Sequence, residues 1–558
     1  MNGRWPTGVD RLDDPEAADA ATLFDDYVKH GLQGFGEQDT IVPQSTNDED
    51  SIMKWSTNQQ AVFNWFKDCA QPLMAAVSRA LVVKAVAGSG KTTTIVEAAR
   101  FIPIGDLACF LAFNKAIATE LGNRLPRNIE SRTLNSLGFR AVKAKFPNCD
   151  VDGDKVRKII KSLDDIYSTD TGEDYVAKYL TGAIANLVAK CKAHGLVPFE
   201  KLNGELATDA SLQELMNFYD ITADAPDSVI REFALEALKV NCQQTNIVDF
   251  DDQLYFVVAF DLMVPQYRWI IVDEAQDLSH INREMLKKFL ALGGKLIAVG
   301  DERQAIYGFR GADSSSLERI VTEFNADELP LDTTYRCPRK VVEVAQRYVP
   351  EINCPDDAPE GEVIECDKFS IADFIDSDLV VCRNTAPLIS SAYRLIRNGQ
   401  SVRVMGRDIG KGLVSLIKKL AKREFTTISM EDFEKRVNEW RNKQIEIVTR
   451  RDQENKIEGI NDKSESLLAI ISGGDLDTLQ ELVNVINSLF NGHSGPKFAT
   501  VHRAKGLEAP RVFILDSHLM PSAYAKQKWQ RKQETNLIYV AVTRALETLC
   551  YVESKRLV

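Results

Sequence analysis

The sequence predicts an α/β protein whose site lies at the carboxyl edge of a parallel sheet. Three observations predict it. Val82-Val83-Lys84-Ala85-Val86 reads as a short apolar strand that runs into Ala87-Gly88-Ser89-Gly90 and then a helix from Lys91. Trp269-Ile270-Ile271-Val272 reads as a buried strand ending in adjacent carboxylates, Asp273 and Glu274. Lys295-Leu296-Ile297-Ala298-Val299-Gly300 is another apolar run, and it opens into a polar turn holding Asp301 and Gln304. Short continuous apolar runs fit strands buried on both faces, and open α/β sheets bind ligands beyond their carboxyl ends.

The turn after the first strand is built for phosphate. Gly88 and Gly90 let the backbone curl so that the N–H groups of Ala87, Gly88, Ser89 and Gly90 converge, and the helix N-terminus adds its positive dipole end. Lys91 is placed to reach β- and γ-phosphates, and the Thr92 hydroxyl to hold Mg²⁺. The general pattern has glycine six residues before the lysine; this chain has Ala85 there. Asp273 suits the same Mg²⁺, and Glu274 suits a base that orients water. Gln304, just past a strand end, is positioned to sense the γ-phosphate. Tyr307, Phe309 and Arg310 then put two aromatic rings and a guanidinium on one loop, which suits stacking on nucleic-acid bases.

Composition bounds the rest. The 558 residues allow three or four domain-sized units, with 44% hydrophobic and 27% charged residues. No run approaches 18 apolar residues, so no membrane span is expected. The ten cysteines include no Cys-x-x-Cys pair, which argues against zinc or iron–sulfur sites and fits reduced thiols in a cytoplasm. The net charge is −13, but residues 1–50 hold 12 acidic and 3 basic residues, so the other 508 carry only −4. A local basic groove is compatible with that balance.

Taken in order, residues 1–50 read as an acidic, poorly ordered leader with one helical stripe, Leu23, Phe24, Tyr27, Val28 and Leu32. It is expected to pack on the chain's own surface or to recruit a protein partner. A helix starts near Ser56 or Thr57. Phe110-Leu111-Ala112-Phe113-Asn114-Lys115 is a further strand and turn, and residues 138–246 turn helical, with lysines 143–161 read as a solvated face. Asp378-Leu379-Val380-Val381-Cys382 is a strand of a second sheet, and 406–497 form another helical insertion, with 13 basic against 9 acidic residues across 407–456.

At this point seven segments in the right order resemble the motifs of superfamily 1 helicases of the UvrD/Rep/PcrA kind. Ala85–Thr92, Asp273–Asp277 and Val299–Ala312 are similar to motifs I, II and III, and Leu331–Arg336 to motif IV. Thr500–Glu508 is similar to motif V, Asn536–Ala545 to motif VI, and Gln59 to the adenine-reading Q motif. The resemblance implies two RecA-like P-loop domains with parallel sheets, each interrupted by a mainly helical insertion. The expected spans are 51–137 and 247–335 for the first, around the 138–246 insertion. They are 336–405 and 498–558 for the second, around 406–497. ATP would lie between the two. Arg336 and Arg544 would act as arginine fingers, Tyr335 would stack on adenine and Glu508 would bind ribose. Asn114, Asn135 and His502 would contact DNA, with His502 linking the groove to the ATP site. Three departures stand out: Thr93 replaces an arginine that sandwiches adenine, Ala112 replaces a DNA-stacking phenylalanine, and Asn135 replaces a histidine. The implied activity is ATP-dependent 3′→5′ movement on single-stranded DNA and at single-strand/duplex junctions, in repair, recombination or replication. The alternative is a DNA-stimulated ATPase subunit of a nuclease or defence complex.

Overall fold

The computed structural model describes residues 54–557, apart from 75, 168–175, 177–179, 224, 309–314, 451–452 and 475. The leader, its helical stripe, and Phe309 and Arg310 therefore lie outside the described residues.

Two six-stranded parallel sheets dominate. The first takes β1 (Arg79–Ala85), β2 (Ala108–Leu111), β3 (Ile129–Arg132), β4 (Tyr267–Val272), β5 (Leu290–Gly300) and β6 (Asp327–Leu331), in the spatial order β6-β1-β5-β4-β2-β3. The second takes β7 (Glu362–Cys366), β8 (Leu379–Cys382), β9 (Arg403–Val404), β10 (Lys497–Thr500), β11 (Ala509–Leu515) and β12 (Ala545–Val552), in the order β7-β12-β11-β8-β10-β9. The apolar runs form these strands because both faces of each sheet are covered. Leu81, Val83, Ile271 and Ile297 pack with Val62 and Phe66 of the Thr57–Cys69 helix on one face of the first sheet. Val82, Leu111, Ile270 and Val272 pack with the helical insertion on the other.

One helix runs across position 138, the expected start of the first insertion. The Leu134–Lys145 helix spans that boundary and lies against the Asp252–Ala259 helix. Gly138 allows the approach, since a Cβ there would sit 2.0 Å from the Gln253 carbonyl oxygen. The boundary at 246 likewise divides one helical layer, because the Asp252–Ala259 helix shares its core with Ile184, Ala234 and Leu238.

The solvated reading of lysines 143–161 fails at Lys155, which is buried with Lys192 in a charge network. Lys155 Nζ lies 2.8 Å from Asp252 Oδ2, and Lys192 Nζ lies 2.5 Å from Asp249 Oδ2 and 2.9 Å from Asp252 Oδ1. The Asn241 amide donates to Asp252 Oδ1 at 2.8 Å. Two acids compensate two ammoniums here. Desolvation would otherwise make such charges prohibitive, so the network fixes the pairing of three helices and the 248–252 segment.

In the second unit, helices Arg407–Ala421, Met430–Arg450, Ile457–Gly473 and Leu479–Asn491 fill the gap between β9 and β10. One core cluster crosses between units: Val86, Ala87 and Ile306 of the first pack with Val341, Leu537, Tyr539 and Val540. The carboxyl ends of β1, β4 and β5 therefore face the second unit. Among the described residues no helix is long and apolar enough to cross a membrane.

Candidate nucleotide and nucleic-acid site

The phosphate loop takes the conformation its glycines permit. Gly88 and Gly90 have φ of +74° and +73°, and the helix Lys91–Ala98 starts immediately after. A Cβ on Gly88 would lie 2.4 Å from Arg336 Cβ, so glycine is needed both for the turn and for the approach of the opposing segment. Tyr335 N–H donates to the Gly88 carbonyl at 2.9 Å, and its half-exposed ring stands beside the loop. The Ser89 hydroxyl is buried and has no hydrogen-bond partner among the described residues. Gln59 supports the loop from behind: its amide donates to Thr94 Oγ1 at 3.0 Å and accepts from Ser56 N–H at 2.9 Å. Both ends of the Gln59 amide are thus committed within the protein.

Three acidic groups gather at the ends of β4 and β5. Thr92 Oγ1 donates to Asp273 Oδ2 at 3.0 Å, and Lys91 Nζ to Glu274 Oε1 at 2.8 Å. Glu274 adopts a left-handed backbone, φ +53°, a conformation that costs a non-glycine residue about 1–3 kcal/mol and is found at functional sites. Burial alone would raise the Glu274 carboxyl, but Lys91 and Lys505 hold it well below the usual carboxylate range. Asp273 is pushed up, by burial first and by Glu274 second. An aspartate and a threonine hydroxyl, both hard oxygen donors, fit Mg²⁺. The orphaned Ser89 hydroxyl fits a phosphate oxygen.

A hydrogen-bond chain joins Glu274 to the turn that holds Asp301 and Gln304. Gln276 donates to Glu274 Oε2 and accepts from Asp301 N–H at 3.0 Å, and Gln304 donates to Asp301 Oδ2 at 2.8 Å. Reading the sequence singles out Glu274 and Gln304 but misses Gln276, the residue that connects them.

The second unit supplies cations. Arg336 Nε lies 2.6 Å from Glu508 Oε2, so both stand at the cleft as one ion pair. Arg544 is buried, and its hydrogen bonds go to neutral oxygens: the Val540 and Leu507 carbonyls at 2.9 and 3.2 Å, and Thr543 Oγ1 at 3.0 Å. Burial, with Arg336 adding to it, pulls the Arg544 guanidinium down to about 10. A desolvated cation held only by neutral groups favours an anion beside it. Tyr539, which the sequence reading also misses, accepts the Ala87 N–H at 2.9 Å across the cleft. Thr93 is half-buried at the start of the phosphate-loop helix.

On the neighbouring face, Tyr307 stacks against Phe113 at 6.3 Å between centroids with planes 14° apart. Phe113 is 42% exposed and Ala112 5%. Ala112, where the resemblance has a stacking phenylalanine, is buried, and the exposed ring of this segment is that of Phe113. Strand β2 ends at Leu111, Ala112 is the last buried position, and the ring emerges one residue later. The Tyr307 hydroxyl donates to the His502 carbonyl at 3.3 Å. A cavity of about 170 Å³ opens beside the pair, lined among others by Lys192, Leu254, Asp277 and Asn282. Asn114 caps its helix by accepting from Ile117 N–H at 2.9 Å. Asn135 donates to the Phe250 carbonyl at 3.1 Å and to Gln253 Oε1 at 3.3 Å. Both asparagines are therefore engaged within the first unit.

Family comparison agrees with this arrangement. The UvrD/REP helicase N-terminal domain matches residues 68–325, and the UvrD-like helicase C-terminal domain matches 498–552, together more than half the chain. The chain belongs to the UvrD/Rep helicase family. Within that family it is 24% identical over 297 residues to a probable DNA helicase II homolog of Rickettsia felis, covering 48% of this chain and 42% of that protein. It is 26% identical over 333 residues to DNA helicase IV of Escherichia coli, covering 50% and 47%. F-box DNA helicase protein 1 of Schizosaccharomyces pombe is 22% identical over 494 residues, covering 84% and 55%. The chain thus spans about half the length of these relatives. The first UvrD/Rep model ends at 325, before Tyr335 and Arg336, and the second begins at Lys497's neighbour, residue 498.

Proposed function

We propose that this chain is an ATP-driven translocase on single-stranded DNA that separates duplex strands, moving 3′→5′. The observation that carries the reading is the continuity of the two sites. Glu274, Gln276, Asp301 and Gln304 run in one bonded chain from the nucleotide pocket to the turn that ends in Tyr307. Any shift of that turn during hydrolysis moves a stacking ring. The direction 3′→5′ rests on the family resemblance alone.

ATP bound with Mg²⁺ would supply a transferable γ-phosphoryl group. Lys91, the Gly88–Gly90 backbone and Ser89 would bind its phosphates, and Thr92 with Asp273 would hold the cation. Glu274 would orient the attacking water and accept its proton. Arg336 and Arg544 would neutralise the charge that develops on the phosphoryl oxygens, which ties turnover to a closed cleft. Tyr335 and Gln59 would flank the adenine and Glu508 would reach the ribose. Tyr307, Phe113, Phe309, Arg310, Asn114, Asn135 and His502 would line the path of the strand.

Stacking of a base on an aromatic ring is worth about 1–3 kcal/mol, enough to hold one strand while a base-pair step costing about 1.4 kcal/mol opens. Phe113→Ala is accordingly expected to weaken binding of an oligo-dT by about 5- to 150-fold in fluorescence anisotropy. Nucleotide affinity should stay the same, because Phe113 has no bond to the phosphate loop. Unchanged oligo-dT affinity would contradict the assignment. The function itself is tested by strand displacement on duplexes carrying a 3′ or a 5′ single-stranded tail, with and without ATP. Opening of the 3′-tailed duplex only, and only with ATP, is the expected result. Opening of the 5′-tailed duplex alone would overturn the polarity.

A further inference from the structure

Lys505 belongs to the second unit, yet its ammonium sits among functional groups of the first. Its Nζ lies 2.6 Å from Asp277 Oδ2 and 3.5 Å from Glu274 Oε2. It donates to the Gln304 carbonyl at 2.9 Å. It also stands 5.0 Å from the centroid of the Tyr307 ring, within cation–π range. The Lys505 side chain is 10% exposed and that of Asp277 4%. One cation therefore touches the general-base glutamate, the sensor turn and the stacking ring at once.

The arrangement divides Glu274 between competitors. Oε1 is held by Lys91, and Oε2 is held by Gln276 with Lys505 behind it. A carboxylate clamped at both oxygens is poorly free to accept a proton from water. Phosphate binding draws Lys91 away from Oε1, because the loop exists to place that ammonium on phosphate. Lys505 is not reached by the same event, since its other anchors are Asp277, Gln304 and Tyr307. A base stacking on Tyr307 would reach it: displacing the ring or the Gln304 carbonyl changes where the ammonium rests between Asp277 and Glu274.

We infer that Lys505 is a positioning residue that restrains Glu274 until single-stranded DNA occupies the Phe113–Tyr307 face. The inference rests on the proposed function and identifies how the two sites communicate. It makes Lys505 the link from DNA occupancy to turnover, carried by a side chain that bridges the two units.

The test compares ATP turnover of the full chain with and without saturating oligo-dT, for wild type, Lys505→Met, Lys505→Gln and Lys505→Arg. Wild type should be stimulated by oligo-dT; a flat wild type overturns the translocase reading itself. Given stimulation, Lys505→Met is expected to raise the DNA-free kcat and to shrink the stimulation ratio at least about fivefold, the low end of site-to-site coupling. The KM for ATP should not move. Lys505→Gln keeps donors for Asp277 and the Gln304 carbonyl, so it reports on the lost charge even if the methionine variant folds poorly; the same loss of ratio is expected. Lys505→Arg should restore the ratio. A ratio unchanged in Lys505→Gln, or equal losses with and without DNA, would reduce Lys505 to a structural bridge and overturn the inference.

Discussion

Glu274→Gln is expected to lower kcat for ATP by about 10²–10⁴, the usual weight of a positioned general base. ATP affinity should remain. The substitution keeps the shape and one hydrogen-bond acceptor, and it leaves the Thr92–Asp273 pair at 3.0 Å untouched. It also frees Lys91, whose ammonium is 2.8 Å from the Glu274 carboxylate. Nucleotide affinity is therefore expected to hold or rise while turnover collapses. Nucleotide binding and phosphate release, measured on the same preparation, separate the two effects. Turnover close to wild type would show that some other group orients the water.

Arg544→Ala is expected to lower kcat by about 10³–10⁵, the range of an arginine finger. Arg544 is the better candidate for the larger effect of the two arginines. Arg336 already has a carboxylate partner in Glu508, whereas among the described residues Arg544 bonds only to neutral oxygens. Its charge has most to gain from an anion in the cleft. Phosphate release at saturating ATP and oligo-dT is the measurement, with thermal unfolding alongside. A loss smaller than tenfold would move the finger role to Arg336. The unfolding midpoint discriminates further: removing a buried cation that has no counter-ion among the described residues should cost little stability compared with breaking a buried pair such as Lys192–Asp249.

Much of this site was legible in the sequence because it is local. Val82 to Thr94 encodes strand, turn and helix in one stretch, and Ile270 to Glu274 encodes a strand and the carboxylates at its end. What escaped is what depends on contacts between distant segments. Gln276 looks like an ordinary polar residue until its amide is seen between Glu274 and Asp301. Lys505 and Tyr539 meet the first unit only because the sheet edges face each other across more than 200 residues of chain. Phe113 escaped for a different reason. Whether the Phe113 ring lies in the core or on the surface depends on where β2 stops, and one position decides between the two. Lys155 escaped because a lysine-rich stretch reads as solvated; only the acids at 249 and 252 make burial tolerable.

The proposed coupling of hydrolysis to strand binding is tested most directly by the steady-state rate of phosphate release from the wild-type chain as oligo-dT is titrated in at saturating ATP. The predicted result is a low rate without DNA that rises steeply and saturates with the same half-point as oligo-dT binding. A rate that is the same at every oligo-dT concentration, while anisotropy shows the DNA bound, would contradict it.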